Sequence, residues 1–235
     1  MHYKIEGHSI QSHNAAKPHT QTSRQVLEEL ENIAVSGQIL DLGCGKLRYS
    51  DHLCEISQNI CFADSRIQLE RMQVIKGIRC SVQEYVEKNY PLSRCVAIED
   101  IQELNDQFDF IFCSNVLSAI PCEQTLNTTM SIIYRLLSDS GKALVVNQHR
   151  SSYFKKFEMG RPHLHGYLYK GNRGSSYYGI IDKSTIKNLS RKHGFSTDVF
   201  VRGDRTFAYL TKMLTKPVKR TQLSCASADG VIRAS

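Results

Sequence analysis

Short apolar runs and amphipathic stretches alternate along most of the chain. The stretch "SRQVLEELENIAV" has the spacing of an amphipathic helix, and the apolar run "QILDL" after it predicts a buried strand. The order repeats with "NICFAD" as a second strand and "SRIQLERMQVI" as a helix. The runs "RCVAIED" and "FDFIFCS" predict a third and a fourth strand.

The alternation continues to a fifth strand and then changes. The stretch "LNTTMSIIYRLLSDSG" predicts a helix closed by Gly141, and "KALVVN" predicts the fifth strand. Five strands that alternate with helices favour a parallel, doubly wound sheet. Near the end, the helix pattern "KSTIKNLSRKHG" precedes "TDVFVRGDRTFAYLTK", which predicts an antiparallel hairpin with a Gly-Asp turn. The pattern thus predicts a mostly parallel, seven-stranded α/β sheet with an antiparallel C-terminal hairpin.

The same pattern predicts five parts of the chain. They are a polar N-terminal arm over 1–20, a ligand-binding core over 21–147, an insertion over 148–180, the rest of the core over 181–213, and a tail over 214–235. The insertion is rich in tyrosine, glycine and basic residues. The tail has no apolar periodicity, and we predict that it is disordered.

Composition narrows the class of protein. The chain has 235 residues, 41% of them hydrophobic, which suits one globular domain. There is no run of 18 apolar residues and no apolar signal segment, so we expect a cytoplasmic protein without membrane spans. The eight cysteines form no C-x-x-C pair, which predicts free thiols and no metal site. The net charge of +7 permits an anionic partner without requiring one.

The stretch "QILDLGCGKLRYS", residues 38–50, carries the first candidate chemistry. The strand ends in Asp41, and Gly43 and Gly45 let the backbone pass close to a ligand at a helix N-terminus. Asp64 ends the next strand, where a carboxylate can accept hydrogen bonds from both hydroxyls of a ribose. The sequence therefore predicts a nucleoside-containing ligand at this edge of the sheet.

The turn does not fit a nicotinamide dinucleotide. The G-x-G-x-x-G pattern would need a glycine at the sixth position from Gly43, where this chain has Arg48. In addition, Asp41 before the first glycine would repel a pyrophosphate. It suits a ligand with an ammonium or sulfonium charge.

With these residues in view, "LDLGCG" resembles motif I of the class I S-adenosylmethionine-dependent methyltransferases. The resemblance covers about residues 37–146 and includes "DIQEL", "FDFIFCSNVLSAIP" and "IYRLLSDSGKALVV". It implies a Rossmann-like fold, S-adenosylmethionine as cofactor and a transferase activity. Leu47 stands where that family commonly has a third glycine, a position that varies within it.

The resemblance also implies site residues. Gly43 and Gly45 would pass under the methionine portion, Asp41 would favour the cationic end, and Asp64 would bind the ribose. The adenine would be framed by Asp100 and Ile101, and the reacting sulfonium would lie beside Ser114 or Asn115. For each of these a structural role is the alternative: Asp100 as a solvated loop acid, or Asn115 as a helix cap.

The sequence defines the methyl acceptor less clearly than the cofactor. The sequence Ser-Asn-Val-Leu after strand four disfavours an enzyme that methylates exocyclic amino groups in DNA. Cys122 lies too far past strand four to be the nucleophile of a cytosine-5 methyltransferase. The motifs "NVLSAIP" and "RLLSDSGKALVV" look most like small-molecule methyltransferases. Their catalysis rests mainly on proximity in a closed pocket, and the N-terminal segment and the insertion after strand five commonly build that pocket.

The insertion admits three interpretations: an aromatic lid over the substrate, a basic and aromatic surface for RNA or DNA, or an ordinary amphipathic cover. We favour the lid, with a small molecule as substrate. Candidate catalytic residues are Asn115, Asn147, His149, Tyr177 and Tyr178. His149, just past strand five, is a candidate general base, with a structural histidine as the alternative. Lys17 and Arg24 are candidates to pair with the cofactor's carboxylate, with an exposed basic arm as the alternative.

Two other functions remain open from the sequence. Proteins of this fold can consume S-adenosylmethionine itself, by cyclisation or aminocarboxypropyl transfer, and release 5′-methylthioadenosine. A non-catalytic, cofactor-binding subunit is a further alternative, which the intact motifs disfavour.

Overall fold

A computed structural model describes residues 2–5, 7–11, 16–148, 152–171 and 174–213. The predicted tail over 214–235 and the candidate base His149 lie outside these ranges. The described strands are β1 (His2–Ile5), β2 (His8–Gln11), β3 (Ile39–Leu42), β4 (Ile60–Asp64), β5 (Gln73–Ile75), β6 (Ile78–Cys80), β7 (Arg94–Ala97), β8 (Phe108–Ser114), β9 (Leu137–Gln148), β10 (Arg161–His163), β11 (Gly166–Gly171), β12 (Gly174–Gly179), β13 (Phe195–Arg202) and β14 (Arg205–Lys212). The α-helices are α1 (Arg24–Glu31), α2 (Ser50–Ile56), α3 (Arg66–Glu70), α4 (Val82–Asn89), α5 (Glu123–Leu136) and α6 (Lys183–Lys192).

The main sheet has seven strands in the order β13-β14-β9-β8-β3-β4-β7. The five strands from β9 to β7 are parallel, and β14 runs antiparallel to both β9 and β13. The prediction of a mostly parallel, doubly wound sheet with an antiparallel C-terminal hairpin is confirmed. The carboxyl ends of β3, β4 and β8 meet at one edge, where such sheets bind their ligands.

Both faces of the sheet are covered because side chains alternate along each strand. Leu40 and Ile111 pack on one face, in a cluster that includes α5 and α6, whereas Ile39 and Phe110 pack on the other, with α1, α2 and α4. All four side chains are fully buried. The continuous apolar runs of the sequence thus correspond to strands buried on two sides.

One predicted helix is shorter than the sequence pattern indicates. The helix predicted over residues 65–75 ends at Glu70, and Gln73–Ile75 instead forms a strand that pairs with Ile78–Cys80. The two residues between these strands, Lys76 and Gly77, have φ values of +47° and +85°, as a two-residue hairpin turn requires. The helical prediction failed because it did not weigh this Lys-Gly turn signal.

The predicted role of Gly141 as a helix terminator is wrong. Helix α5 ends at Leu136, and the extended backbone of Leu137 leads directly into β9. Gly141 lies inside that strand, at an irregularity of its register with β8. A Cβ atom there would lie 2.9 Å from the carbonyl oxygen of Phe108, so close packing between the strands accounts for the glycine.

A second sheet of five strands lies outside the main one, in the order β1-β2-β12-β11-β10. The N-terminal strands, which the sequence analysis left as a polar arm, join the insertion through a parallel pairing of Ile10 with Ser175. We call this sheet, together with the 3₁₀ segment Ser152–Met159, the cap. The N-terminal arm and the insertion therefore form one structural layer.

The seven cysteines within the described ranges are unpaired. Among the same residues there is no cluster of histidine, cysteine and acidic side chains able to hold a metal ion. None of the described helices is long and apolar enough to span a membrane.

Candidate active site

A cavity of about 380 Å³ opens between the carboxyl ends of the central strands and the cap. The strand ends and the loops beside them contribute Asp41, Gly43, Gly45, Asp64, Gln68, Ile98, Phe112, Ser114 and Asn115. The cap contributes Tyr3, Phe154, Phe157, Ser176, Tyr177 and Tyr178. The predicted turn and the predicted aromatic insertion thus share one cavity.

The glycine turn after β3 has left-handed backbone at three residues. Gly43 and Gly45 have φ values of +82° and +58°, and Leu47, at the position of the third glycine, has +56°. A Cβ atom on Gly43 would lie 2.2 Å from Cγ2 of Val116, so a neighbouring side chain already fills the space that the sequence analysis assigned to a ligand. Leu47 is fully buried, and its burial offsets the cost of a left-handed conformation, about 1–2 kcal/mol.

The peptide of Gly45 is held from two sides by the unit β4–α3. Its N–H donates to Oδ2 of Asp64 at 2.9 Å, and its carbonyl oxygen accepts from Nε2 of Gln68 at 2.6 Å. Gln68 is fully buried and lines the cavity. Sequence reasoning missed this residue because a glutamine on a short helix resembles a surface residue, and only its place one turn after Asp64 could have indicated it.

Asp64 lies where the sequence predicts the ribose-binding carboxylate, at the end of β4 and on the cavity wall. Its Oδ1 accepts hydrogen bonds from the N–H of Ser65 at 2.7 Å and from the Ser65 hydroxyl at 3.3 Å. Burial raises the pKa of Asp64, and the N–H donors of Gly45 and Ser65 oppose that rise. The carboxylate is therefore fixed in place, and Oδ2, which accepts one hydrogen bond, keeps a lone pair for a ligand.

Asp41 is only 4% exposed and lines the cavity beside Asp64. Burial, with the neighbouring charge of Asp64 second, raises the pKa of Asp41 from 3.8 to about 8. Within the described part of the chain, its carboxylate has no hydrogen bond and no ion pair. A buried, unpartnered acid of this kind is suited to a cationic ligand.

The raised pKa of Asp41 makes a prediction about the ligand-free protein. Between about pH 4 and pH 8 the folded chain keeps a proton that the unfolded chain has released, so the free energy of unfolding falls as pH rises through this window. Asparagine mimics the neutral acid. We therefore expect Asp41→Asn to match wild type near pH 4 and to unfold at least about 2–4 °C higher at pH 8.5, by thermal denaturation monitored with circular dichroism.

The exposed Asp139 provides the control, since Asp139→Asn makes the same substitution at a side chain that does not line the cavity. Parallel pH dependences for wild type and Asp41→Asn would contradict the assignment of a raised pKa to Asp41.

Asn115 follows β8 with a φ of +60°, a conformation that asparagine tolerates better than most residues. Its Oδ1 accepts from the N–H of Gln148 at 2.8 Å, and its Nδ2 donates to the hydroxyl of Ser114 at 3.3 Å. It is not the helix cap that was the structural alternative, since the 3₁₀ turn after it begins at Val116 without a side-chain cap. The side chain of Asn115 instead ties the end of β8 to the end of β9.

Asn147 and its neighbour differ in where they point. Asn147 is 1% exposed, does not line the cavity, and its Oδ1 accepts from the N–H of Ser118 at 3.3 Å. Gln148 lines the cavity instead, with its Nε2 donating to Asp204 at 2.6 Å. The structure therefore brings Asn115 to the cavity and assigns Asn147 a bond beneath the loop after β8.

Three of the predicted cofactor-binding residues lie away from the cavity wall. Arg24 is exposed and pairs with Glu28 at 2.8 Å. Asp100 pairs with Arg66 at 2.6 Å on the surface, and Ile101 is fully buried in the core. The wall at this loop is formed by Ile98, which the sequence analysis did not select.

Lys17 lines the cavity as predicted from its place in the N-terminal arm, and Arg48 joins it. The Arg48 guanidinium lies 5.0 Å from the ring centroid of Tyr49 and donates to the carbonyl of Gln21, while its Nε is buried without a partner. Burial lowers the pKa of Arg48 from its usual value. The sequence analysis used this arginine only to exclude a dinucleotide, although it is a half-buried cation on the cavity wall.

The cap covers the cavity with an aromatic cluster. The rings of Phe154 and Tyr178 are stacked, with centroids 4.7 Å apart and planes 9° from parallel, and Phe157 packs against both. Tyr177 meets His163 edge-on at 6.0 Å. The two tyrosines selected from the sequence therefore both lie on the cavity wall.

Comparison with known proteins gives matches over most of the chain. Residues 13–198 match the family model described as a methyltransferase domain. A curated relative from Escherichia coli (strain K12), the uncharacterized protein YmfD, is 46% identical over 194 residues, which is 83% of this chain and 88% of that protein.

Solved structures resemble the fold at low sequence identity. The PH0226 protein from Pyrococcus horikoshii OT3 superposes with a TM-score of 0.59 at 15% identity, over 80% of this chain and 89% of that one. A 1,6-didemethyltoxoflavin-N1-methyltransferase from Burkholderia thailandensis, solved with its substrate and S-adenosylhomocysteine, gives 0.55 at 16% identity, over 80% and 75%. At identities of 15% and 16%, the comparison shows a shared fold and nothing more specific.

Proposed function

Because this chain belongs to the methyltransferase domain family and is a class I transferase that uses S-adenosylmethionine, we propose that it methylates a small-molecule acceptor held between the central strands and the cap. The observation that carries this proposal is the shared cavity, in which the glycine turn and the aromatic cap face the same space. We place the protein in the cytoplasm, which the seven unpaired cysteines among the described residues support.

The described residues fit the cofactor. Gly43 and Gly45 form the left-handed turn that would lie against the methionine portion of the cofactor. Asp41 provides a buried acid for the cofactor's cationic end. Asp64, fixed by two backbone N–H groups, takes the ribose hydroxyls. When bound, S-adenosylmethionine supplies a methyl group on a sulfonium sulfur, an electrophile that a lone pair attacks in line with the departing sulfur.

The remaining cofactor groups have candidates on the same wall. We assign the carboxylate to Lys17 and Arg48, the cations that line the cavity near the glycine turn together with Lys46. The sequence analysis predicted that Ile101 contacts the adenine, but Ile101 is buried in the core. We assign this apolar contact to Ile98 instead, because Ile98 lines the cavity. That Asp100 frames the adenine stays a prediction.

On the acceptor side, residues of this chain position the acceptor and exclude water from the site. Asn115 fixes Ser114 beside the predicted position of the reacting carbon, and the rings of Phe154, Phe157 and Tyr178 cover it. Holding the acceptor in line within a closed, water-poor pocket lowers the entropic cost of reaction. His149, the candidate general base, follows β9 directly.

The lid interpretation makes a prediction about dynamics. If the cap closes over bound cofactor, S-adenosylhomocysteine should slow the exchange of backbone amides in residues 152–171 and 174–180. Hydrogen–deuterium exchange with mass spectrometry measures this, and the amides of α6, none of whose residues lines the cavity, provide the internal control. Unchanged exchange in the cap with cofactor bound would contradict the lid role.

The nucleic-acid alternative predicts a different result. Lys155, Lys156 and Arg161 belong to the cap, and Arg173 lies outside the described residues. Phosphate binding through these residues would give salt-sensitive retention on a nucleic-acid column, and neutralising all four would abolish it. We expect no such retention. Strong retention lost in the fourfold variant would replace the small-molecule proposal with an RNA or DNA substrate.

A further inference from the structure

The cavity has two chemically distinct halves. Near the glycine turn its wall carries five charged side chains, namely Lys17, Asp41, Lys46, Arg48 and Asp64. The half beneath the cap has none among its described residues. It consists of Tyr3, Ser118, Ala119, Ile120, Phe154, Phe157, Ser176, Tyr177 and Tyr178. A molecule bound in this second half meets flat aromatic faces and hydroxyl groups, and no compensating charge.

Tyr177 carries a buried polar atom in the uncharged half. The hydroxyl of Tyr177 is buried without a hydrogen bond, although the ring lines the cavity. Burial raises the pKa of Tyr177 to about 12, and the nearby backbone N–H of His165 opposes the rise without reaching hydrogen-bonding geometry. The phenol therefore keeps its proton at neutral pH. Because buried hydroxyl groups are nearly always paired in a complete structure, the Tyr177 hydroxyl is available to donate to a bound molecule.

The neighbours of Tyr177 hold this hydroxyl group in place. Its ring meets the His163 ring edge-on, and Nε2 of His163 is bonded to the carbonyl of Pro121 at 2.7 Å, so that ring is anchored to the loop before α5. Gly179 follows on the same strand, where a Cβ atom would lie 2.7 Å from the carbonyl oxygen of Ser118. The strand is thus packed directly onto the loop after β8, and Tyr177 has little freedom to turn away.

We propose that the acceptor is an uncharged aromatic or heteroaromatic compound that presents an oxygen or nitrogen lone pair to the Tyr177 hydroxyl. Aromatic walls favour a flat ring, and a buried charge without a counter-ion would cost several kcal/mol in this half. The hydrogen bond orients the ring and selects among acceptors. This inference rests on the proposed function, because it takes the charged half to be filled by the cofactor.

The hydroxyl of Tyr49 is also buried without a hydrogen bond, and it belongs to the charged half of the cavity. Its ring packs edge-on against Phe112 at 5.4 Å and lies beside Arg48. It therefore adjoins the region assigned to the cofactor, and Tyr177 is the residue whose free donor marks the acceptor side.

Three probes built on one ring test the proposal. Quinoline is neutral and has a ring-nitrogen lone pair, N-methylquinolinium is a cation without one, and quinoline-4-carboxylate is an anion. Each is titrated calorimetrically into protein saturated with S-adenosylhomocysteine at neutral pH. We expect quinoline to bind most tightly, and Tyr177→Phe to weaken it about three- to tenfold without affecting N-methylquinolinium or S-adenosylhomocysteine.

Tyr167→Phe is the matched control, because Tyr167 lies on the neighbouring cap strand and does not line the cavity. It should leave all affinities unchanged. Tyr177→Phe should not lower the melting temperature of the free protein, since it removes an unpaired hydroxyl. Tighter binding of either charged probe, no binding of quinoline, or an equal affinity of wild type and Tyr177→Phe for quinoline would overturn the proposal. A protein that fails to bind S-adenosylhomocysteine would overturn the proposed function as well.

Discussion

Gly43→Val should abolish measurable cofactor binding and lower the melting temperature. Valine is β-branched and tolerates a φ of +82° poorly, and its Cβ would lie 2.2 Å from Cγ2 of Val116. Left-handed strain and overpacking each cost about 1–3 kcal/mol. The N–H of Gly43 also donates to the carbonyl of Ala63 at 2.7 Å, so a shift of the turn would disturb the contact with β4. Calorimetric titration with S-adenosylhomocysteine should give an affinity at least about a hundredfold lower.

A matched control separates backbone strain from the clash. Gly77 has a φ of +85°, and a Cβ atom there would meet nothing within 4 Å. Gly77→Val should carry the strain alone, with a loss of stability of about 1–3 kcal/mol and normal cofactor affinity. A Gly43→Val protein that folds and binds cofactor like wild type would show that the turn is not the cofactor site.

Asp64→Ala should weaken cofactor binding by about 1–3 kcal/mol, or roughly 5- to 150-fold, the usual cost of unpaired buried polar groups. The substitution removes the predicted partner of the ribose and also the acceptor that holds the N–H of Gly45 at 2.9 Å. Gln68 would still hold the Gly45 carbonyl, so the turn should stay in place. Calorimetric titration with S-adenosylhomocysteine measures the loss.

Asp139→Ala is the control for that substitution, because Asp139 is exposed and pairs with Lys212 far from the cavity. It should bind the cofactor with wild-type affinity. An affinity of Asp64→Ala equal to that of Asp139→Ala would remove Asp64 from the ribose site.

The fold was predictable because its determinants are local and repeated. Buried parallel strands appear as continuous apolar runs such as "FDFIFCS", and the helices between them keep a period of 3.6 residues. Where one short signal competed with this pattern, as at Lys76 and Gly77, the periodicity gave the wrong element. Strands β1 and β2 of the cap were missed because each has only four residues, too short a run for alternation to be recognised within a polar arm.

The sequence indicated a residue's place on the cavity wall where that residue follows directly from the end of a strand. Asp41, Asp64 and Ser114 all line the cavity because parallel strands end at one edge. Arg24, Asp100 and Ile101 lie elsewhere, since the path of a loop or arm depends on contacts that one sequence does not reveal. Gln68 was missed for the same reason, because its role depends on the position of Gly45 in space.

The fate of S-adenosylmethionine tests the central claim most directly. The purified chain is incubated with methyl-labelled S-adenosylmethionine, alone and with the low-mass or the nucleic-acid fraction of a cell extract. Methyl transfer to a small molecule predicts S-adenosylhomocysteine, and label in a low-mass product, only when the low-mass fraction is present. Release of 5′-methylthioadenosine from S-adenosylmethionine alone, or label in the nucleic-acid fraction, would contradict it.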